Sequence, residues 1–471
     1  MKTGIDRRTF LRRSGATGLF LAPGLAGLAR VGSGATPAGR VERDASGSAS
    51  SGGYGRLRKS PDCPELALPP GFHCRKISEA GRPMADGAPV PNAFDGMAAF
   101  PVAGDVVRLV RNHELRERPP KGRLLSAERA YDTQGPGGVT TLELKMYPNG
   151  AVEPVAEFVT LAGTFVNCAG GATPWGSWLS CEETVVGRAG PDGTPSGLDR
   201  NHGYVFEVPS LANVPVDPVP LTAMGRFVHE AIAVDPVSGV VYLTEDQDPS
   251  GFYRFLPDNP GNFKAGGRLQ MLVVRGRPRY DTRTRQRPGV RHRAAWVDID
   301  DPDPAGDYVS PDTVFQQGYA KGGATFARLE GCCMGEGFVY FDATTGGDIG
   351  AGQVWQYQPL DPNHGELVLI FQSPSAHVLR QPDNICMSPR GGMAICEDGD
   401  GIDYLRGLTP AGQVFDFARN EANELEFTGV CFSPQGRTMF VNIQGALWIG
   451  DGSEPKGMTF AIWGPWENGA L

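Results

Sequence analysis

Beyond its first thirty residues the chain has no apolar run long enough to span a bilayer, which takes about 20 such residues. The mature protein is therefore expected to have no membrane span. Positive charge is in deficit, with 44 Lys and Arg against 53 Asp and Glu and a net charge of −9. A nucleic-acid face needs clustered Lys and Arg, so no nucleic-acid partner is expected. The chain lacks a Gly-rich loop ending in Lys-Ser/Thr, a Gly-x-Ser-x-Gly elbow and a His-Glu-x-x-His helix motif. Nucleotide cradling, serine-nucleophile chemistry and zinc-protease chemistry are left without support. No segment keeps a 3.6-residue apolar period beyond a turn or two, which excludes a helical bundle. Nine cysteines, an odd number, exclude complete internal pairing.

What is present begins with Asp6-Arg7-Arg8-Thr9-Phe10-Leu11-Arg12, an arginine pair ahead of an uncharged stretch from Ser14 to Ala29. That stretch is too short and too glycine-rich for a spanning helix. It reads as the apolar region of a twin-arginine signal over residues 1–35, which implies the twin-arginine translocase as a partner. The protein is then periplasmic, extracellular or attached to the cell surface. Residues 36–60, centred on Ala45-Ser-Gly-Ser-Ala-Ser-Ser-Gly-Gly53, read as a flexible linker. The folded domain is expected at 61–471.

Within that domain 65 glycines and 40 prolines across the chain, about twice the ordinary share, mark many turns. Short strands of period two recur from Phe94 to Gly464 as a two-part unit: an acidic or polar residue enters an apolar strand, and a second strand ends in a polar cluster. The unit occurs at Asp95 with Asn112-His113-Glu114, at Asn167-Cys168 with Cys181-Glu182-Glu183, and at His229-Glu230 with Thr244-Glu245-Asp246. It returns at Arg328-Leu-Glu330 with Phe338 to Asp342, at Asp383-Asn384 with Cys396-Glu397-Asp398, and at Glu426 to Gly429 with Asn442-Ile-Gln444. Six copies predict an all-β fold, a six-bladed β-propeller with rim insertions at Glu117–Gln134 and Asp258–Gln317. A β-sandwich or two small barrels also repeat hairpins and stay open as alternatives.

Inner strands of a propeller present their ends to one shared channel, so residues repeated at that place converge. Asp95, Glu230, Glu330, Asp383 and Glu426 form one acidic column. On the second strands, alternation pairs Asn112 with Glu114, Cys181 with Glu183, Thr244 with Asp246 and Cys396 with Asp398. So many carboxylates in one cavity require neutralising cations. Oxygen-rich sets suit calcium, manganese or ferric iron, and a thiolate among them points to a transition metal. Cys181, beside Glu182 and two residues from Glu183, is the candidate thiolate, or else an ordinary buried thiol. Any single carboxylate at a strand end is equally a turn-former. His113 and His229 alternate to the other face and read as packing groups or as supports behind the ligands. Arg328 shares the face of Glu330, where it either grips a phosphate bidentately or pairs with Glu330 alone. Cys63 and Cys74 flank a Pro-rich loop and are close enough in sequence for a disulfide outside the cytoplasm.

The stretch Gly171-Ala-Thr-Pro-Trp-Gly-Ser-Trp-Leu-Ser-Cys-Glu-Glu-Thr184 runs into the first of several specific motifs. The others are Phe227-Val-His-Glu230, Arg328-Leu-Glu-Gly331, Asp383-Asn384 with Cys396-Glu-Asp-Gly399, and Phe427-Thr-Gly429 with Phe440-Val-Asn442. Together they resemble the PhoX family of bacterial alkaline phosphatases over about Asp95 to Gln444. The resemblance implies an iron and calcium cluster that hydrolyses phosphate monoesters outside the cytoplasmic membrane. By motif it implies Cys181 as the thiolate on iron, Glu183, Glu230, Glu330 and Asp383 as carboxylate ligands, and Arg328 as the phosphate-binding residue. Glu114 and Asp246 join the ligand set from the repeat column. Export of a folded protein would let metal load in the reducing cytoplasm. A calcium-dependent lactonase-like propeller and a non-catalytic binding propeller remain as other readings, and a monomer is expected.

Overall fold

The computed structural model describes residues 53–116, 129–189, 194–305, 312–448 and 453–471. The expected signal and most of the expected linker lie outside the described residues, as does most of the Glu117–Gln134 insertion. Among the described residues the fold is all-β in a propeller-like arrangement, with one short α-helix at Val314–Ala320. No helix among the described residues is long and apolar enough to cross a membrane.

Strands such as Val106–His113 and Met393–Glu397 are buried along nearly their whole length, because each sheet packs between two others. Antiparallel sheets follow the chain. Phe94–Pro101, Val106–His113, Gly137–Met146 and Val152–Thr164 make one, and Asn167–Ala172, Ser177–Glu182 and Val205–Pro209 a second. Pro382–Met387, Met393–Glu397, Tyr404–Leu408 and Val414–Asn420 carry two short N-terminal strands on their edge. The Asp258–Gln317 segment departs from its reading as a rim insertion. It supplies Gly267–Val274 as the fourth strand behind His229–Val234, Val241–Glu245 and Tyr253–Pro257. Its next strand, Arg291–Asp298, then pairs with Gly365–Gln372, joining two four-stranded units into one nine-stranded sheet.

The N-terminus closes the fold. Strand His73–Glu79 completes the sheet of Phe427–Phe432, Thr438–Ile443 and Met458–Trp463 by pairing along the last of these. Order starts earlier than the expected boundary at residue 61. Arg58–Lys59 pairs with Leu66–Leu68, and Tyr54 packs among Phe72, Phe415, Phe417 and Trp466 while its hydroxyl donates to Trp466 O and Leu471 O. Tyr54 and the Arg58–Lys59 pairing together tie the segment to the domain. Cys63 and Cys74 are both free thiols, buried in the same apolar cluster, with Ser60 Oγ 3.2 Å from Cys74 Sγ.

The six strands that open the repeat, Phe94–Pro101, Asn167–Ala172, His229–Val234, Leu329–Gly335, Pro382–Met387 and Phe427–Phe432, each pack against the next, and the last against the first. Every one is interrupted near its start by a β-bulge. A bulge sets two residues against one on the partner strand and re-aims the side chain it displaces.

Candidate active site

The bulges position the site. In five opening strands the first bulged residue is a potential ligand: Asp95, Cys168, Glu230, Glu330 and Asp383. In the sixth the bulge falls at Gly429-Val430, with Thr428 just ahead of it, so Glu426 lies off the column assigned to it from the sequence. A second ring is pinned to the first by one hydrogen bond repeated in every copy. The backbone N–H groups of Glu114, Glu183, Asp246, Thr344, Asp398 and Gln444 donate to the carbonyls of Ala93, Val166, Val228, Arg328, Gln381 and Glu426, at 2.8 to 3.2 Å. Four of those lead-in residues are held in the left-handed region, Ala93, Val166, Arg328 and Gln381, with φ of 45 to 56°. For β-branched Val166 this is a true outlier. Such strain costs about 1–3 kcal/mol per residue and persists where the surroundings over-determine the turn.

Two sets of side chains converge. One ligand atom each from Cys168, Glu183 and Glu230 lie within 4.8 Å of one another, and so do atoms from Glu230, Glu330 and Asp383. All five residues are buried, and Glu230 belongs to both sets. Of the expected ligands the structure thus brings together Glu183, Glu230, Glu330 and Asp383. Cys181 is in neither set. It faces Val205 across its sheet and packs in an apolar cluster with Leu179, Ile232 and Leu243. Its column does a different task. Asn112 Nδ2 donates to Cys168 O and Ala169 O at 2.9 and 2.7 Å, Thr244 Oγ1 to Glu330 O at 2.6 Å, and Asn442 Nδ2 to Asp95 O at 2.8 Å. These residues clamp the bulged backbone from below.

The thiol that reaches the carboxylates is Cys168. The bulge opposite Cys181, in the Asn167–Ala172 strand, turns Cys168 to the cavity. The signal was present in the repeat, where Cys168 aligns with Asp95, Glu230, Glu330 and Asp383. Burial first, and then Glu230 and Glu183, push the Cys168 thiol well above its ordinary pKa. Ionising it therefore calls for a cation at the site. A soft thiolate with hard carboxylates around it is a donor set that fits a transition metal beside calcium.

Glu114 and Asp246 are also buried, each held by an arginine. Arg116 contacts Glu114 Oε1 and Glu183 Oε2. Arg328 places Nε 3.0 Å from Asp246 Oδ1 and Nη2 3.0 Å from Asp246 Oδ2, and Nη2 also contacts Glu330 Oε1. The two guanidiniums flank the clustered carboxylates. His113 and His229 are fully buried packing groups. His229 Nε2 lies 2.9 Å from Gly225 O, and burial lowers its pKa to about 3.

Glu182 turns away from the cluster. It accepts from Phe165 N at 2.8 Å and Gly203 N at 2.8 Å, and its Oε1 lies 2.6 Å from His202 Nδ1. His202 Nε2 is 3.3 Å from Asp132. Burial alone would lower the His202 pKa, but Glu182 and Asp132 outweigh it and raise it to about 9. A raised imidazolium pKa contributes stability that is complete below about pH 6.5 and is lost as pH rises through about 9, on the order of 3 kcal/mol in all. Denaturation of wild type and His202→Gln checks this: the stability gap measured at pH 6 should narrow sharply at pH 10.

A family model described as alkaline phosphatase PhoX matches residues 52–446. Among solved structures, PhoX of Pseudomonas fluorescens in complex with vanadate, a transition-state analogue, aligns with TM-score 0.63 and 18% identity over 88% of this chain and 98% of that one. A gluconolactonase of Xanthomonas campestris aligns with TM-score 0.38 and 12% identity, over 87% of this chain and 98% of its own. No curated protein sequence matches. The family model spans most of the chain and takes in all the converging residues, so the protein belongs to the PhoX family of alkaline phosphatases.

Proposed function

We propose that this protein is an exported phosphomonoesterase whose centre holds iron and calcium. The observation that carries the reading is the meeting of Cys168, Glu183, Glu230, Glu330 and Asp383, with Glu230 common to both sets, next to Arg328. The family membership supports the reaction class. The thiol in the set favours a transition metal alongside calcium, which a calcium-only lactonase-like site does not need.

Cys168, Glu183 and Glu230 would hold one ion, and Glu230, Glu330 and Asp383 another. Bound there, the ions would supply Lewis-acid neutralisation of phosphoryl oxygens and acidify a water for attack. The protein's own part is placement. Four bulged strands fix Cys168, Glu230, Glu330 and Asp383, the backbone bond to Val166 O fixes Glu183, and Asp246 with Glu330 holds the Arg328 guanidinium at the edge of the cluster. A planar guanidinium there binds two phosphoryl oxygens at once and favours the charge that builds during transfer.

We read the fold as six-bladed. In support, the nine-stranded sheet divides into two four-stranded units bridged by Arg291–Asp298, and the opening strands form a closed series. Export by the twin-arginine translocase to the periplasm, cell surface or medium rests on Arg7-Arg8 and the stretch after it. A monomer of 61–471 with an N-terminal extension back to Tyr54 completes the proposal.

The purified chain loaded with iron and calcium should turn over p-nitrophenyl phosphate, and should lose that activity on chelation and regain it on re-addition of both metals. Absence of turnover with both metals measured as bound would refute the reading.

A further inference from the structure

Glu114 was assigned to the metal from the repeat, yet it lies in neither converging set. Both of its oxygens are engaged by side chains. Oε1 meets Arg116 Nε at 2.9 Å and Arg116 Nη2, and Oε2 accepts from Gln444 Nε2 at 2.7 Å. The same Arg116 Nη2 reaches across to Glu183 Oε2, on the neighbouring unit. Glu114 and Glu183 are buried, and the Arg116 side chain is 13% exposed. Its backbone N–H is anchored to Leu447 O at 2.8 Å.

Two buried carboxylates side by side require a positive charge between them. A divalent ion is one solution. A guanidinium is another, because it is permanently charged and its planar fork can bridge two carboxylates. We propose that Arg116 is a built-in cation occupying the place a calcium ion would otherwise take between Glu114 and Glu183. Glu114 is then a partner of Arg116 and not a metal ligand, and Glu183 is shared, one side facing the Cys168 set and the other facing Arg116. The centre on this side keeps its charge balance when metal is stripped. This inference rests on the metal-centre reading above for the rest of the site.

The test compares full-length wild type with Arg116→Met, Arg116→Lys and Glu114→Gln, each loaded with excess iron and calcium, dialysed and measured for metal per chain by mass spectrometry. Arg116→Met should gain about one calcium ion per chain, since two carboxylates are released to an oxygen-seeking cation. Arg116→Lys, which keeps the charge, and Glu114→Gln should both keep the wild-type count. A folded Arg116→Met with no gain overturns the proposal, as does loss of one ion in Glu114→Gln. If Arg116→Met does not fold, the Glu114→Gln count decides alone. Orthophosphate affinity is measured on the same metal-loaded samples: a fall in Arg116→Lys at the wild-type metal count would make Arg116 a substrate ligand and also overturn the proposal. Failure of the metal-centre reading is separate, because wild type itself would then bind no metal, while a gain in Arg116→Met relative to wild type could still be read.

Discussion

Cys168→Ala is expected to lower kcat/KM on p-nitrophenyl phosphate by at least about 100-fold, the upper end of what losing even an outer partner of a metal ligand does. Bound iron should fall with it. Cys181→Ala removes a similar buried sulfur thirteen residues away in sequence, but should leave iron unchanged and cost only about 1 kcal/mol of stability. The pair is informative because both thiols are fully buried and both border the same apolar cluster. Their packing losses are alike, so a difference in iron and rate isolates ligation. Iron lost in Cys181→Ala and retained in Cys168→Ala would restore the assignment implied by motif resemblance.

The second large effect is at Arg328. Arg328→Ala should reduce kcat/KM by about 10²–10³, the range found for removing one preorganised transition-state donor. Asp246 and Glu330 would lose their guanidinium, and breaking a buried pair costs about 3–5 kcal/mol, so a denaturation curve must accompany the kinetics. Arg328→Lys separates the two contributions. It keeps a charge between Asp246 and Glu330 but lacks the fork, so the fold should survive while orthophosphate inhibition and kcat/KM both weaken. An Arg328→Lys enzyme with wild-type kcat/KM and wild-type phosphate inhibition would rule out bidentate phosphate binding.

Much of this was legible before any coordinates. Strand periodicity with dense Gly and Pro indicated an all-β chain, and the two-part repeat located Glu230, Glu330 and Asp383, which do converge. Two expectations differ from the geometry. The sequence motif points to Cys181 where the bulge presents Cys168, and Glu426 is the acidic residue of a copy whose bulge falls after Thr428. A bulge inserts a residue without altering composition, so it is invisible to a period-two count. The Asp258–Gln317 segment was misread for another reason. Its basic, irregular middle separates two strands, Gly267–Val274, which pairs with the preceding Tyr253–Pro257, and Arg291–Asp298, which also pairs with Gly365–Gln372 far along the chain.

The sequence by itself determined the class of fold, the recurrence of the two-part unit, the acidity of the convergent positions and the family motifs, because each is a local pattern that the backbone's period exposes. Tertiary structure decided which thiol joins the carboxylates and which carboxylates are claimed by arginines instead. Those outcomes depend on bulges that rotate Cys168 inward and on Arg116 and Arg328 reaching acidic groups of neighbouring units. Only contacts between units place such charges side by side, and no pattern within a single unit encodes them.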